Sequence, residues 1–218
     1  MQPINANNAL RNGHIWIAGM SESGKTSYAK KHTLEKTDHV LIFDPFGDYE
    51  GKLAGLSVRT FDKLADVYQA ANAARAKQSG FRIAWHPKRA TKPADFDKFC
   101  QLAWALGDGN KQPLKVLLEE VAEHSETAGK ASGYHGQILR VGRKFNIHTI
   151  NLFQRGQEVS KTILDNCRRC AVLMQKTEDS ARYIQQKTGI PAEEIATLAQ
   201  LEYIEQDGKD WTRGKIRF

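Results

Sequence analysis

The sequence predicts an α/β domain: a mostly parallel central sheet with helices on both faces and a β-hairpin at the C-terminal end. Two observations carry this. Short apolar runs of strand length alternate along most of the chain with amphipathic, helix-length stretches, the pattern of a parallel sheet covered on both sides. The first of those runs also leads directly into GMSESGKTS, residues 19–27, a glycine-rich turn of the kind that joins a strand to a helix around a phosphate.

Each element has its own warrant. HIWIAG (14–19) reads as the first strand and residues 25–35 as the first helix. HVLIFD (39–44) is a second strand and LSVRTF (56–61) a short extra one. FDKLADVYQAANAARAK (61–77) places apolar residues at helical spacing and is stopped by Gly80. FRIAWHP (81–87) is strand-like and ends at Pro87; the helix over 92–106 opens with Pro93 in its first turn and ends before Gly107 and Gly109. LKVLLE (114–119) is a strand, followed by the Gly/Ser-rich loop SETAGKASGYHG (125–136), a helix over QILRVGRKF (137–145) and the strand NIHTINLF (146–153). CAVLMQ (170–175) is a further strand, residues 179–187 and 192–199 are short helices, and LEYIEQDGKDWTRGKIRF folds as a hairpin turning at Asp207-Gly208. Trp16, Trp85 and Trp104 fall in apolar segments and are expected in the core.

At 218 residues and 40% apolar content, the chain can bury a sizeable core as one domain spanning 1–218. No apolar run approaches the ~20 residues that a membrane helix needs. The opening MQPINANNAL lacks the basic and apolar regions of a secretion signal. A formal charge of +7 is compatible with a polyanionic partner without proving one. Cys167 and Cys170 form a CxxC, but only Cys100 remains and no fourth ligand closes a tetrahedral zinc site; buried strand cysteines are the preferred reading.

The chemistry starts at residues 19–27, which match G-x-x-x-x-G-K-[ST]. Gly19 and Gly24 let the backbone wrap a phosphate, and the following helix adds its positive end. Gly19, Ser21, Glu22, Ser23, Gly24, Lys25, Thr26 and Ser27 are therefore the candidate nucleotide-binding residues. Lys25 would reach the β- and γ-phosphates of ATP, and Thr26 would ligate Mg²⁺. An acidic residue at the end of a neighbouring strand is then needed for the metal, and Glu119, ending LKVLLE, stands there. Glu120 is placed to act as general base toward water. A carboxylate pair seen alone would only mark where a strand meets solvent; the phosphate loop changes its meaning. Gln154 follows the strand 146–153 and would face the γ-phosphate, since open α/β sheets bind ligands at the carboxyl ends of their strands.

These residues together resemble the HerA–FtsK superfamily of DNA-pumping ATPases, from Gly19 to about Ile184. LIFDPFGDYEG (41–51) is similar to that group's second-strand signature. LRVGRKFNIHTINLFQRGQEVSKTILDNCRR resembles the FtsK stretch in which two helical arginines precede a strand ending in Gln-Arg. Arg140, Arg143, Gln154, Arg155 and Asn166 are the matching positions. Glu119 departs from the usual Asp, and Gly156 from the usual Pro. The resemblance implies a RecA-like P-loop NTPase fold of the ASCE type. With little room beyond the motor domain, it points to the genome-packaging ATPases of tailless icosahedral viruses with an internal membrane, tectiviruses and corticoviruses among them. It implies a homo-oligomeric ring, expected as a hexamer, that pumps double-stranded DNA into a preformed capsid. Arg143, or Arg140 as second choice, would complete a neighbour's site. Capsid-vertex or membrane-anchored viral proteins would be further partners, in the host cytoplasm or at a virion vertex. Two other readings stand beside it: a filamentous-phage-type assembly ATPase, and a nucleotide-dependent DNA-binding or partitioning module that moves nothing.

Candidate DNA contacts are Lys130 and Tyr134 in the loop 125–136, a cation and an aromatic that can grip a backbone without reading sequence. That segment reads equally as an ordinary surface loop. Arg168 and Arg169 either touch DNA, complete a neighbouring site or simply flank a strand. His135 and the other histidines lack metal or triad spacing.

Overall fold

The computed structural model of the protein describes residues 1–77, 79–124 and 129–218. Its ten strands are β1 (Ile15–Ala18), β2 (His39–Phe43), β3 (Lys52–Leu53), β4 (Leu56–Phe61), β5 (Phe81–Trp85), β6 (Leu114–Leu118), β7 (Ile147–Phe153), β8 (Arg169–Leu173), β9 (Glu202–Asp207) and β10 (Asp210–Lys215). They form one sheet in the order β10-β9-β8-β1-β7-β6-β2-β5-β4-β3. The seven strands from β8 to β4 run parallel, and only the edges are antiparallel: β9 and β10 at one side, β3 at the other. Strands β1, β2, β5 and β7 are buried along their whole length, which is why they read as mostly apolar runs rather than alternating ones, although β5 and β7 also bury Arg82, His148, Thr149 and Asn151.

The helices are α1 (Lys25–His32), α2 (Leu64–Arg75), α3 (Pro93–Ala105), α4 (Gly133–Val141), α5 (Lys161–Asn166), α6 (Glu178–Thr188) and α7 (Ala192–Ala196). Alternate side chains of each strand divide between two cores. Trp16, Leu41, Phe43, Val116 and Leu118 face a large core packed by residues of α2 to α7. Ile15, Ile17, Val40, Ile42 and Leu117 face a smaller core, where Tyr28 and Ala29 of α1 join Tyr49, Leu53 and Ile216. Helices thus lie on both faces, but unequally: one helix covers the second face, helped by the segment after β2 and the C-terminal end. Trp16, Trp85 and Trp104 are buried as expected.

Three local departures have physical causes. Helix α4 begins at Gly133, inside the segment expected to be loop, because Gly136 fits where a Cβ would lie 2.2 Å from the Ala131 carbonyl oxygen. The helical stretch then changes at Gly142 into a 3₁₀ turn over Gly142–Phe145, ended by left-handed Asn146. Helix α5 was not expected; six residues carry too little periodicity, and its sequence signal is the cap at Ser160, whose hydroxyl accepts from the Thr162 amide. Of the cysteines, only Cys170 lies on a strand, while Cys100 sits in α3 and Cys167 before β8; all three are free thiols.

Candidate active site

The carboxyl ends of β1, β7 and β6 lie side by side, with β7 between the other two. The turn after β1 is held on both sides: the Gly19 amide donates to the Phe153 carbonyl of β7 (3.3 Å) and the Met20 amide to the Met174 carbonyl after β8 (2.9 Å). Glu22 (φ 63°) and Gly24 (φ 105°) take left-handed conformations that wind the chain into α1. The C-terminal hairpin closes this turn from outside. A Cβ on Gly24 would lie 2.9 Å from Leu201 Cδ2 and 3.1 Å from Ile216 Cδ1, and the Leu201 amide donates to the Ser23 carbonyl.

Within the turn, Ser23 is fully buried and its Oγ has no hydrogen-bond partner, although buried hydroxyls are normally satisfied. A Cβ on Gly19 would fall 2.5 Å from that oxygen. Lys25 is buried, and its Nζ donates to the Met20 carbonyl, 3.2 Å away. Burial lowers its pKa, opposed by the nearby carboxylates of Glu120 and Glu119. An orphaned hydroxyl, a desolvated ammonium and a wound turn at a helix N-terminus form a cradle that suits a polyphosphate. Ser21 and Glu22 are exposed on its rim, and Ser27 is half-buried in the first turn of α1.

Glu119 follows β6 and is 3% exposed. The Thr26 hydroxyl donates to its Oε1 at 3.1 Å, and the Tyr49 hydroxyl donates to the same oxygen at 2.5 Å. Burial pushes the Glu119 carboxyl up from its ordinary 4.5 to about 7; the hydrogen bonds from Tyr49 and Thr26 pull the other way. A desolvated carboxyl beside a hydroxyl at a phosphate cradle is a donor set that fits Mg²⁺, a hard cation taking oxygen ligands. Glu120 comes next, half-buried and left-handed (φ 46°), a conformation that costs a non-glycine residue about 1 kcal/mol or more. Its carbonyl accepts from the Glu123 amide, which fixes the turn and its direction. Gln154 is exposed at the carboxyl end of β7, directly after Phe153, which pairs with Ala18 of β1. The sequence-predicted Lys25, Thr26, Glu119, Glu120 and Gln154 therefore share one edge of the sheet.

The remaining candidates lie elsewhere. Arg143 is in the 3₁₀ turn before β7, at the opposite, amino edge, and its Nη1 donates to the carbonyls of Asn8 (3.0 Å) and Leu10 (2.8 Å). Arg140 is exposed on α4 and folds back to donate to the Ala131 carbonyl at 3.0 Å. Arg168, exposed at the same amino edge, pairs with Asp207 at 2.6 Å, and Arg169 opens β8. Lys130 is exposed, whereas Tyr134 is half-buried in the first turn of α4, packed on the large core, with its hydroxyl accepting from Gln101. His135 is buried against Asn151 Oδ1 (2.9 Å). Residues 125–128 of the expected loop lie outside the described residues.

The chain is similar to proteins already known. Protein P9 of Pseudoalteromonas phage PM2 is 32% identical to the chain over 160 residues, 72% of this chain and 66% of that protein, so the match spans just under two thirds of the relative's length. No protein-family model matches. The genome packaging NTPase B204 of Sulfolobus turreted icosahedral virus 2, in complex with AMPPCP, superposes with a TM-score of 0.68 at 15% identity, over 95% of this chain and 98% of that one. This chain has the P-loop NTPase fold. VirB4 of Thermoanaerobacter pseudethanolicus is similar at a TM-score of 0.67 and 12% identity, over 95% of this chain and 90% of the other.

In this P-loop NTPase fold, the segment 41–51 contributes more to the site than its sequence revealed. Asp44, buried at the end of β2, accepts from the amides of Gly47 (2.9 Å), Asp48 (2.8 Å) and Tyr49 (3.1 Å). That cage turns the chain so that Tyr49, 1% exposed, points at Glu119. The Asp-Pro step and Gly-acid-Tyr cluster were visible in the sequence; their connection to Glu119 was not.

Proposed function

We propose that the chain is an ATP-hydrolysing motor that translocates double-stranded DNA and packages a viral genome into a preformed capsid. The observation that carries this reading is the convergence of the phosphate cradle, the Thr26–Glu119 pair and Glu120 at one sheet edge. The fold shared with B204, described as a genome packaging NTPase, supports it. So does the sequence similarity to a phage protein.

In this mechanism the main-chain amides of residues 21, 22 and 24–26 and the Lys25 ammonium hold the phosphates. Thr26 and Glu119 would hold Mg²⁺, which would supply positive charge to offset that of the phosphates. Glu120 accepts a proton from the attacking water as its oxygen bonds to the γ-phosphorus and the ADP oxygen leaves. Gln154, at the end of β7, orients that water or the γ-phosphate and registers its loss. A ring of subunits, six in our reading, couples each turnover to DNA movement. Arg140 or Arg143 of one subunit then enters the site of the next, and an arginine supplied in this way is worth about 10³–10⁵ in rate. Arg143 would first have to leave the carbonyls of Asn8 and Leu10; Arg140, exposed, has less to give up.

DNA contacts fall to Lys130, with Tyr134 beside it and Arg168 and Arg169 as further candidates. The motor would work in the host cytoplasm and at a virion vertex, docked by capsid or membrane-anchored proteins. Among the described residues, no helix is long and apolar enough to cross a membrane. The direct test of the chemistry is Glu120→Gln, which keeps shape but removes the base. ATP should still bind, while turnover falls about 10²–10⁴-fold. Parental turnover would remove Glu120 from the reaction.

A further inference from the structure

Glu119 is one methylene longer than the aspartate that commonly ends this strand, so its carboxylate has more ways to turn. Two donors constrain it. The Thr26 hydroxyl reaches Oε1 from the first turn of α1, and the Tyr49 hydroxyl reaches the same oxygen from the loop after β2. Both donors fall on Oε1, and neither engages Oε2.

Tyr49 is delivered rigidly. Asp44 cages its loop through three backbone amides. The Asp44 amide and carbonyl are tied in turn to the Trp85 carbonyl (3.0 Å) and His86 Nδ1 (2.9 Å). Gly47 (φ 81°) sits where a Cβ would lie 3.3 Å from the His86 ring. From the other side, Lys30 of α1 lies 4.7 Å over the Tyr49 ring and donates to the Asp48 carbonyl at 2.6 Å. The same helix therefore holds both Thr26 and, through Lys30, the loop that carries Tyr49. A packing role alone would need the ring and not the hydroxyl, yet the buried hydroxyl donates to the Glu119 carboxylate.

We infer that Tyr49 is the positioning residue for the metal-binding glutamate: its hydroxyl locks Glu119 Oε1 and so fixes the rotamer in which Oε2 can ligate Mg²⁺. The loop 44–49 thereby adapts this site to Glu in place of Asp. This rests on the reading of Thr26 and Glu119 as the metal site.

The test uses the full chain, with Mn²⁺ as the probe in place of Mg²⁺ and a non-hydrolysable ATP analogue. Bound Mn²⁺ is read by electron paramagnetic resonance, and metal-free nucleotide affinity and melting temperature are measured in parallel. Tyr49→Phe keeps the ring and removes one hydrogen bond to a charged group. Mn²⁺ affinity in the ternary complex should fall about tenfold or more, while metal-free nucleotide affinity stays parental. In a Glu119→Asp background, where the shorter side chain no longer needs the second donor, the same change should alter Mn²⁺ affinity less than twofold. Parental Mn²⁺ affinity in Tyr49→Phe would overturn the inference alone and leave the ATPase reading standing. An equal loss in both backgrounds would also overturn it, because it would show a general loosening of the site. A parental chain that binds the nucleotide with no dependence on metal would overturn both.

Discussion

Burial of Glu119 beside the phosphate turn has a thermodynamic cost that can be read without nucleotide. With 3% exposure, its carboxyl is pushed from its ordinary 4.5 to about 7, mainly by desolvation. A folded-state pKa above the unfolded one means that the native protein holds the proton more tightly. The stability this contributes is fully present below pH 4.5 and is lost as the pH rises through about 7. A shift of this size corresponds to about 3 kcal/mol, or roughly 6–12 °C in Tm for a chain of this length. Glu119→Gln removes the titration, and its amide oxygen can still accept from Tyr49 and Thr26. The perturbation is therefore the difference in Tm between parent and variant, measured by calorimetry from pH 5 to pH 8 in the absence of metal. Taking the difference cancels the buried histidines His14, His135 and His148, whose pKa values desolvation lowers to between about 3 and 4 and whose own contribution runs the other way. The variant should be close to the parent at pH 5 and clearly more stable at pH 8. A flat difference would mean that Glu119 is solvated, and the cation site would lose its main physical support.

Two further outcomes follow from the geometry. Lys25→Ala removes a charged donor from the cradle and should weaken ATP binding about 10- to 150-fold, from the usual strength of a hydrogen bond to a charged group; an equilibrium titration that finds parental affinity would count against the cradle. Mixing Arg140→Ala or Arg143→Ala protein with Glu120→Gln protein should give more activity than the two measured separately. Some interfaces would then pair an intact base with an intact arginine, and co-assembled mixtures with no recovery would place that arginine outside the neighbour's site.

The parallel strands were legible because burial on both faces leaves apolar runs such as IWIA and VLIF. The phosphate turn was legible because glycine, lysine and threonine are each demanded there by a distinct geometric need. What stayed hidden is long-range. The Tyr49–Glu119 bond joins residues 70 positions apart; the segment 41–51 marks Tyr49 but does not name its partner. The placement of Arg143 depends on an N-terminal segment whose polar sequence, QPINANNAL, carries no regular pattern, yet whose carbonyls take the guanidinium. Tyr134 looked like a loop aromatic because two glycines flank it. The close approach that requires Gly136 is with the Ala131 carbonyl, which only the folded chain brings near. The unequal covering of the sheet was equally unreadable, since helix amphipathicity says that a face is buried but not which side of the sheet it meets.

The central claim is that hydrolysis here moves duplex DNA. The most direct measurement is ATP-driven release of a third-strand oligonucleotide from a linear duplex by the assembled protein. The account predicts release that requires ATP and Mg²⁺, is absent in Glu120→Gln, and proceeds equally on unrelated flanking sequences. It should weaken steeply as salt rises, because phosphate contacts release counterions. Hydrolysis that continues while the third strand stays bound would contradict it, and would leave a nucleotide-dependent DNA-binding protein that moves nothing.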